Sequence, residues 1–157
     1  MSVPCTSAAV VAARNPDAAL DAIRDRGLRL TASRRLVVTA LYESDRPVTA
    51  EEIASGMYGR LPASDLASVY RNLETLEDAG LVRHMHLGHG PGLYGPAARD
   101  DEYVACERCG RSQVVPADCL RAVRGAVRAA LGYEASFAHT PLTGLCPSCQ
   151  EKRNVRS

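Results

Sequence analysis

Apolar residues recur at helical spacing through the first half of the chain and predict four helices there. Leu20 and Ile23 point inward from a short helix over Asp17 to Asp25, which Gly27 stops. Leu36, Val37, Ala40 and Leu41 repeat with the same period, giving a second helix capped by Thr31 and running through about Glu43, where Ser44-Asp45-Arg46-Pro47 breaks the pattern. Thr49-Ala50-Glu51-Glu52 has the Thr-to-Glu spacing of a capping box and opens a third helix, with Gly59 near its end. A fourth helix, capped by Ser64, runs to about Ala79 and stops at Gly80. At about 100° per residue, Leu66, Val69, Leu73 and Leu76 share one stripe of this helix, while Ser64, Ala67, Ser68, Arg71 and Thr75 lie opposite. Leu81 to Leu87 and Leu93 to Gly95 then read as two strands joined by the turn Gly88-His89-Gly90-Pro91-Gly92. Helices followed by such a hairpin make a winged helix-turn-helix.

The second half has a different pattern. Short strands are expected near Tyr103 to Ala105 and Ser112 to Val115, a helix from about Asp118 to Leu131 ended by Gly132, and a further strand near Glu134 to Leu142. Leu120, Val123, Val127, Ala130 and Leu131 give the helix an apolar stripe, with Arg121, Arg124 and Arg128 outside. So small a sheet with one helix does not close a core alone, so a second copy of the chain is expected to complete it. The fold class is therefore α+β: a loose tail over 1–15, a winged helix-turn-helix domain over 16–96, and a small α/β dimerisation domain over 97–157.

Composition narrows the class without naming a function. The 157 residues are 46% hydrophobic and 24% charged with a net charge of +1, which excludes global disorder. No apolar run approaches the roughly 20 residues of a membrane helix, and the opening residues lack the pattern of a secretory signal, so a cytoplasmic protein with no membrane partner is expected. Charge is local: Arg24, Arg26, Arg29, Arg34 and Arg35 stand against Asp25 alone, a cluster suited to DNA phosphates, with a solvated helix face as the plainer reading.

Cys106, Cys109, Cys146 and Cys149 form two Cys-x-x-Cys pairs with 36 residues between them. In a reducing compartment such pairs read as ligands of one tetrahedral zinc per chain, and a four-thiolate site leaves no open position for substrate, so its role is structural. Nothing else in the sequence pairs a nucleophile with a base, so no enzyme is expected. Cys5 and Cys119 stand apart; they are candidates for a thiol switch, although Cys119 reads more simply as a small buried hydrophobe.

Gly27-Leu28-Arg29-Leu30-Thr31, Val48-Thr49-Ala50-Glu51-Glu52, Ala67-Ser68-Val69-Tyr70-Arg71-Asn72-Leu73, Ala79-Gly80-Leu81-Val82 and the two Cys pairs together resemble the ferric-uptake-regulator (Fur) superfamily over about Asp17 to Cys149. The resemblance implies a homodimeric, metal-dependent repressor that binds an operator in double-stranded DNA. It implies that Tyr70 and Arg71 enter the major groove and that Arg29 approaches the minor groove or backbone. A recognition helix needs a slim polar face and an arginine able to reach a guanine edge, which Arg71 supplies; Ser64 and Ser68 are further candidates on that face. Tyr70 flanks the buried stripe and also reads as a half-core residue.

The family's usual sensing residues are largely missing. Where relatives carry a histidine-rich run, this chain has Arg99-Asp100-Asp101-Glu102-Tyr103; Arg121 stands where a metal-binding Glu is usual, and Arg46-Pro47 replaces a further histidine. His84 and His86 instead fall on one face of the wing strand, where two imidazoles can converge on an ion. A similar His-x-His with a late histidine occurs in the nickel-uptake branch, implying His84, His86 and His139 as ligands of a second metal, with His89 a looser candidate. The Cys pairs and His139-Thr140-Pro141 look more like zinc-uptake regulators, so zinc, nickel and iron all stay open as the sensed ion. Asp100, Asp101 and Glu102 are an alternative hard-ion site with His139, or a solvated acidic turn. The rival functional reading is a regulator without metal sensing, constitutive or redox-controlled through Cys5 and Cys119.

Overall fold

The computed structural model describes residues 13–86, 90–99, 101–137 and 141–154. The chain divides into two compact units, Met1–His84 with Gly92–Arg99 and Met85–Pro91 with Asp100–Ser157.

The N-terminal unit is built on helices with well-defined starts. α1 (Pro16–Asp25) begins where the Asn15 side chain accepts the Ala18 N–H at 2.8 Å, and α2 (Ala32–Glu43) where Thr31 Oγ1 accepts from Arg34 N at 3.2 Å. α3 (Ala50–Ala54) has both halves of the capping box: Thr49 Oγ1 accepts the Glu52 N–H at 3.1 Å and Glu52 Oε2 accepts the Thr49 N–H at 2.9 Å. It ends at Ala54, well before the expected Gly59. A tight turn follows, in which Gly56 has φ +85° and a Cβ there would lie 2.3 Å from the Leu61 carbonyl oxygen. Met57 and Tyr58 also adopt positive φ in this turn, held in place by the burial of Met57.

α4 (Leu66–Asp78) is capped by Asp65, whose Oδ2 accepts the Ser68 N–H at 2.8 Å, and not by Ser64. The backbone N–H of Ser64 is bonded to the Ala54 carbonyl, which ties Ser64 to the end of α3, one residue ahead of the cap. Val69, Leu73 and Leu76 are fully buried with Ile23, Val37, Leu41 and Ile53. Leu66 is exposed instead of buried, because a first-turn side chain leans toward the helix N-terminus and overhangs its end. Thr49 and Leu93, and Val48 and Tyr94, pair where the two-residue strand β1 (Val48–Thr49) meets β3 (Gly92–Pro96) antiparallel. With β2 (Val82–His86) these form a sheet in the order β1-β3-β2, the wing plus one strand too short to show a period in sequence.

In the C-terminal unit β4 (Tyr103–Cys106) is central, antiparallel to β5 (Ser112–Val114) and parallel to β6 (Leu142–Gly144). α5 (Ala117–Leu131) ends at Gly132, and α6 (Pro147–Asn154), not foreseen from sequence, closes the unit. The strand expected over Glu134 to Leu142 begins only at Leu142. One reason is Arg124: its Nε donates to the Ala135 carbonyl at 3.2 Å, turning that group toward α5 and away from a ladder. Arg124 also pairs with Glu102, whose side chain is 8% exposed, and lies 5.9 Å over the Phe137 ring. Arg124 is therefore half-buried, not a free outward arginine like Arg121, and Glu102 is not part of a solvated turn. Among the described α5 residues only Leu120 is buried, while Leu131 and Tyr133 are 70% and 73% exposed.

Glu52 ties the third helix to the chain before it. Burial opposes its charge, but hydrogen bonds from Arg46 at 2.5 Å, the Thr49 N–H and the Tyr58 hydroxyl outweigh this and hold its carboxyl down at about 2. A carboxyl lowered on folding stabilises above its unfolded value of 4.5 and loses that contribution as pH falls toward 2. Thermal melts at pH 5 and pH 3 should show a smaller acid loss for Glu52→Gln than for the unaltered protein.

Candidate metal centre and nucleic-acid interface

Each cysteine pair sits in a turn that folds its two sulfurs to the same side. In the first, the Gly110 N–H donates to the Cys106 carbonyl at 2.9 Å at the bend from β4 to β5; in the second, Cys149 N donates to the Cys146 carbonyl at 2.9 Å as α6 begins. β4 and β6 run side by side, with Cys106 opposite Gly144, and this register delivers one pair to the other. All four sulfurs lie within 4.8 Å of one another, and Cys109 Sγ and Cys146 Sγ are 3.7 Å apart. A tetrahedral ion with bonds of about 2.3 Å places its ligands about 3.8 Å apart, so the cluster fits zinc. The N–H of Cys146 donates to Cys106 Sγ at 3.4 Å. This bond, with the N–H of Cys109, lowers the Cys106 thiol to about 6 and favours the thiolate a metal needs. Without an ion, burial and its thiol neighbours push Cys149 up to about 12. An ion would discharge that opposition.

On α4 the polar face is turned outward. Arg71 is exposed, and Tyr70, 41% exposed, donates its hydroxyl to Glu51 Oε1 at 2.9 Å, which raises its pKa. Tyr70 is thus available at the surface and not a core residue. Ser68 is half-buried, its Oγ 2.9 Å from Ser33 Oγ, and Ser64 is half-buried at the turn before the helix. Arg29 is exposed ahead of α2, and its carbonyl accepts from Arg34 Nη1 at 2.6 Å.

The wing histidines differ from one another. His84 stacks on Tyr94, with ring centroids 4.6 Å apart and planes 9° from parallel, and its Nδ1 lies 4.0 Å from Glu77 Oε2. Its Nε2 is buried against Gly92, where a Cβ would come within 2.4 Å, so the absence of a side chain there admits the ring. His86 is exposed. His89, His139, Asp100 and Cys5 lie outside the described residues. Arg121 pairs with Asp118, and Cys119 is exposed in the first turn of α5, not buried as a small hydrophobe, because the turn carries it on the open side of the helix. Among the described residues, the four cysteines are the only group of three or more His, Cys, Asp or Glu side chains close enough to share an ion.

The sequence model of the ferric uptake regulator family matches residues 25–138, most of the chain. The chain belongs to the ferric uptake regulator family. The peroxide operon regulator of Bacillus subtilis is 26% identical over 144 residues, spanning 92% of this chain and 99% of that relative. The ferric uptake regulator Fur of Helicobacter pylori matches the fold with a TM-score of 0.68 at 21% identity, over 90% of this chain and 97% of that one. The Vibrio cholerae ferric uptake regulator does so at 0.64 and 23%, over 80% and 98%. Members of the ferric uptake regulator family are transcriptional regulators that bind DNA as dimers, not enzymes. No described helix is long and apolar enough to cross a membrane.

Within this family fold, sequence reasoning missed the internal bonds of three groups: the Asn72 amide, the Arg34 guanidinium and the Arg124–Glu102 pair. A buried asparagine in an apolar stripe was the one clue, and helical period alone assigns it to the stripe's edge.

If the sulfur cluster holds the C-terminal unit together, replacing Cys149 by Ser should lower bound zinc from about one per chain to none. It should also open that unit to limited proteolysis while leaving the N-terminal helices protected. Elemental analysis paired with mass mapping of the cuts reads both.

Proposed function

We propose that the protein is a cytoplasmic homodimeric repressor that reads an operator in double-stranded DNA through α4 and carries one structural zinc per chain on Cys106, Cys109, Cys146 and Cys149. The observation that carries this reading is the two-sided α4, whose inner residues Val69, Leu73 and Leu76 are buried while Tyr70 and Arg71 stand at the surface. Arg71 reads a guanine edge, Tyr70 assists in the major groove, Ser64 and Ser68 lie at its margin, and Arg29 contacts the minor groove or backbone. The uncovered apolar face of α5 supports pairing with a second copy, and the domains are a tail over 1–15, a reading head over 16–96 and a dimerisation module over 97–157.

The regulatory reading is a second metal, zinc, nickel or iron, taken by His84 and His86 with His139 as the third ligand and His89 as a weaker candidate. Drawing His84 off Tyr94 and Gly92 would change the wing, so occupancy and DNA affinity would be linked, each strengthening the other. A second reading, constitutive or thiol-controlled binding, is favoured by two observations: the Glu102 carboxylate is already neutralised by Arg124, and Cys119 is exposed.

Arg71→Ala should weaken specific binding by roughly 1–3 kcal/mol, the worth of one bidentate base contact, in a titration against a duplex selected by the protein from a random pool. The double change His84→Ala/His86→Ala should keep one zinc per chain yet abolish any stimulation of DNA binding by added metal. An undiminished metal response would remove the wing histidines from sensing.

A further inference from the structure

Asn72 is a buried amide one residue from Arg71, on the inward side of a helix otherwise packed through Val69, Leu73 and Leu76. An amide in such a place costs free energy unless bonded, and this one is bonded on both ends. Its Nδ2 donates to Ser33 Oγ at 3.0 Å and to the Ser68 carbonyl at 2.9 Å, and its Oδ1 accepts from Arg34 Nε at 3.1 Å. The same guanidinium donates through Nη1 to the Arg29 carbonyl at 2.6 Å, while the Arg34 backbone N–H is held by Thr31. One planar fork therefore joins α4, the start of α2 and the backbone of the segment that carries Arg29. Ser33 and Ser68 add a hydroxyl contact of 2.9 Å between the same two helices.

Apolar packing is non-directional and tolerates small rotations of one helix on another, whereas a forked guanidinium and an amide are satisfied in a narrow range of angles. We propose that Arg34 and Asn72 are positioning residues for DNA recognition, fixing the rotation of α4, which presents Tyr70 and Arg71, against the segment that presents Arg29. This rests on the assignment of those three residues as DNA contacts. Neither positioning residue needs to touch a base. Their effect is to let the major-groove helix and the arginine ahead of α2 meet one duplex together, so that losing them degrades discrimination before it degrades attraction to phosphate.

Two variants separate this role from charge and from folding. Arg34→Lys keeps the positive charge and loses the fork; Asn72→Leu keeps the branched outline of the side chain and loses all three bonds. The zinc-loaded full chain is titrated by fluorescence anisotropy against two duplexes of equal length over a series of salt concentrations. One is recovered by the unaltered protein from a random-sequence pool, the other is its scrambled counterpart. Each variant should bind the selected duplex about tenfold more weakly. Affinity for the scrambled duplex, and the slope of log affinity against log salt, should stay unchanged.

Unaltered binding of the selected duplex by either variant overturns the proposal. So does an equal loss on both duplexes by Arg34→Lys, which would make Arg34 a phosphate ligand. Arg71→Ala in the same titration tests the underlying assignment: if it binds the selected duplex normally, the DNA contacts are misassigned. If it weakens binding while the two positioning variants do not, only the positioning role fails.

Discussion

Four sulfur atoms within 4.8 Å of one another are the constraint on which the C-terminal unit depends. The continuous apolar core of this protein lies among the helices of the N-terminal unit and includes none of the residues from 100 onward. Beyond that point the buried side chains among the described residues are few: Tyr103, Ala105, Leu120, Pro141, the ion-paired Glu102, and two of the cysteines themselves. A three-stranded sheet of strands this short does not bury enough apolar area to offset its ordering entropy. The sulfur cluster fits zinc, and thiolate ligation of such an ion would supply what packing does not, because metal binding is then also folding free energy. The parallel register of β4 and β6 gives that ligation its geometry.

A second cationic tie works beside the sulfurs. The Arg124 guanidinium joins the Glu102 carboxylate, the Ala135 carbonyl and the Phe137 ring, three points on different stretches of the C-terminal unit. Breaking a pair of this kind leaves a buried carboxylate without a counter-charge, so its contribution lies more in fixing one arrangement than in net stability.

The N-terminal unit follows a different economy. Its helices are ordered by caps and apolar stripes, and the buried polar residues described in it are bonded: Ser44 to the Arg46 carbonyl, and Asn72 to Ser33, Ser68 and Arg34. Hydrophobic burial decides that α4 packs, and the amide and guanidinium decide at what angle. The outward arginine and tyrosine inherit that angle, which is how a buried polar group bears on what the surface can read.

The sequence by itself determined the elements set by local rules. The capping box at Thr49, the Thr31 cap, the α4 stripe of Val69, Leu73 and Leu76, and the stop at Gly132 are all consequences of residues a few positions apart. The convergence of the four cysteines was legible as well, because the Cys-x-x-Cys spacing is a local solution to placing two thiolates at one point. Tertiary structure alone decided what depends on distant partners. The two-residue β1 exists only because β3 pairs with it, and Arg124 turns inward only because Glu102 and Ala135 are there to receive it. His84 lies flat on Tyr94 only because Gly92 leaves the space. Periodicity reports which face of an element is apolar; it carries no information on which polar group, far along the chain, will meet the other face.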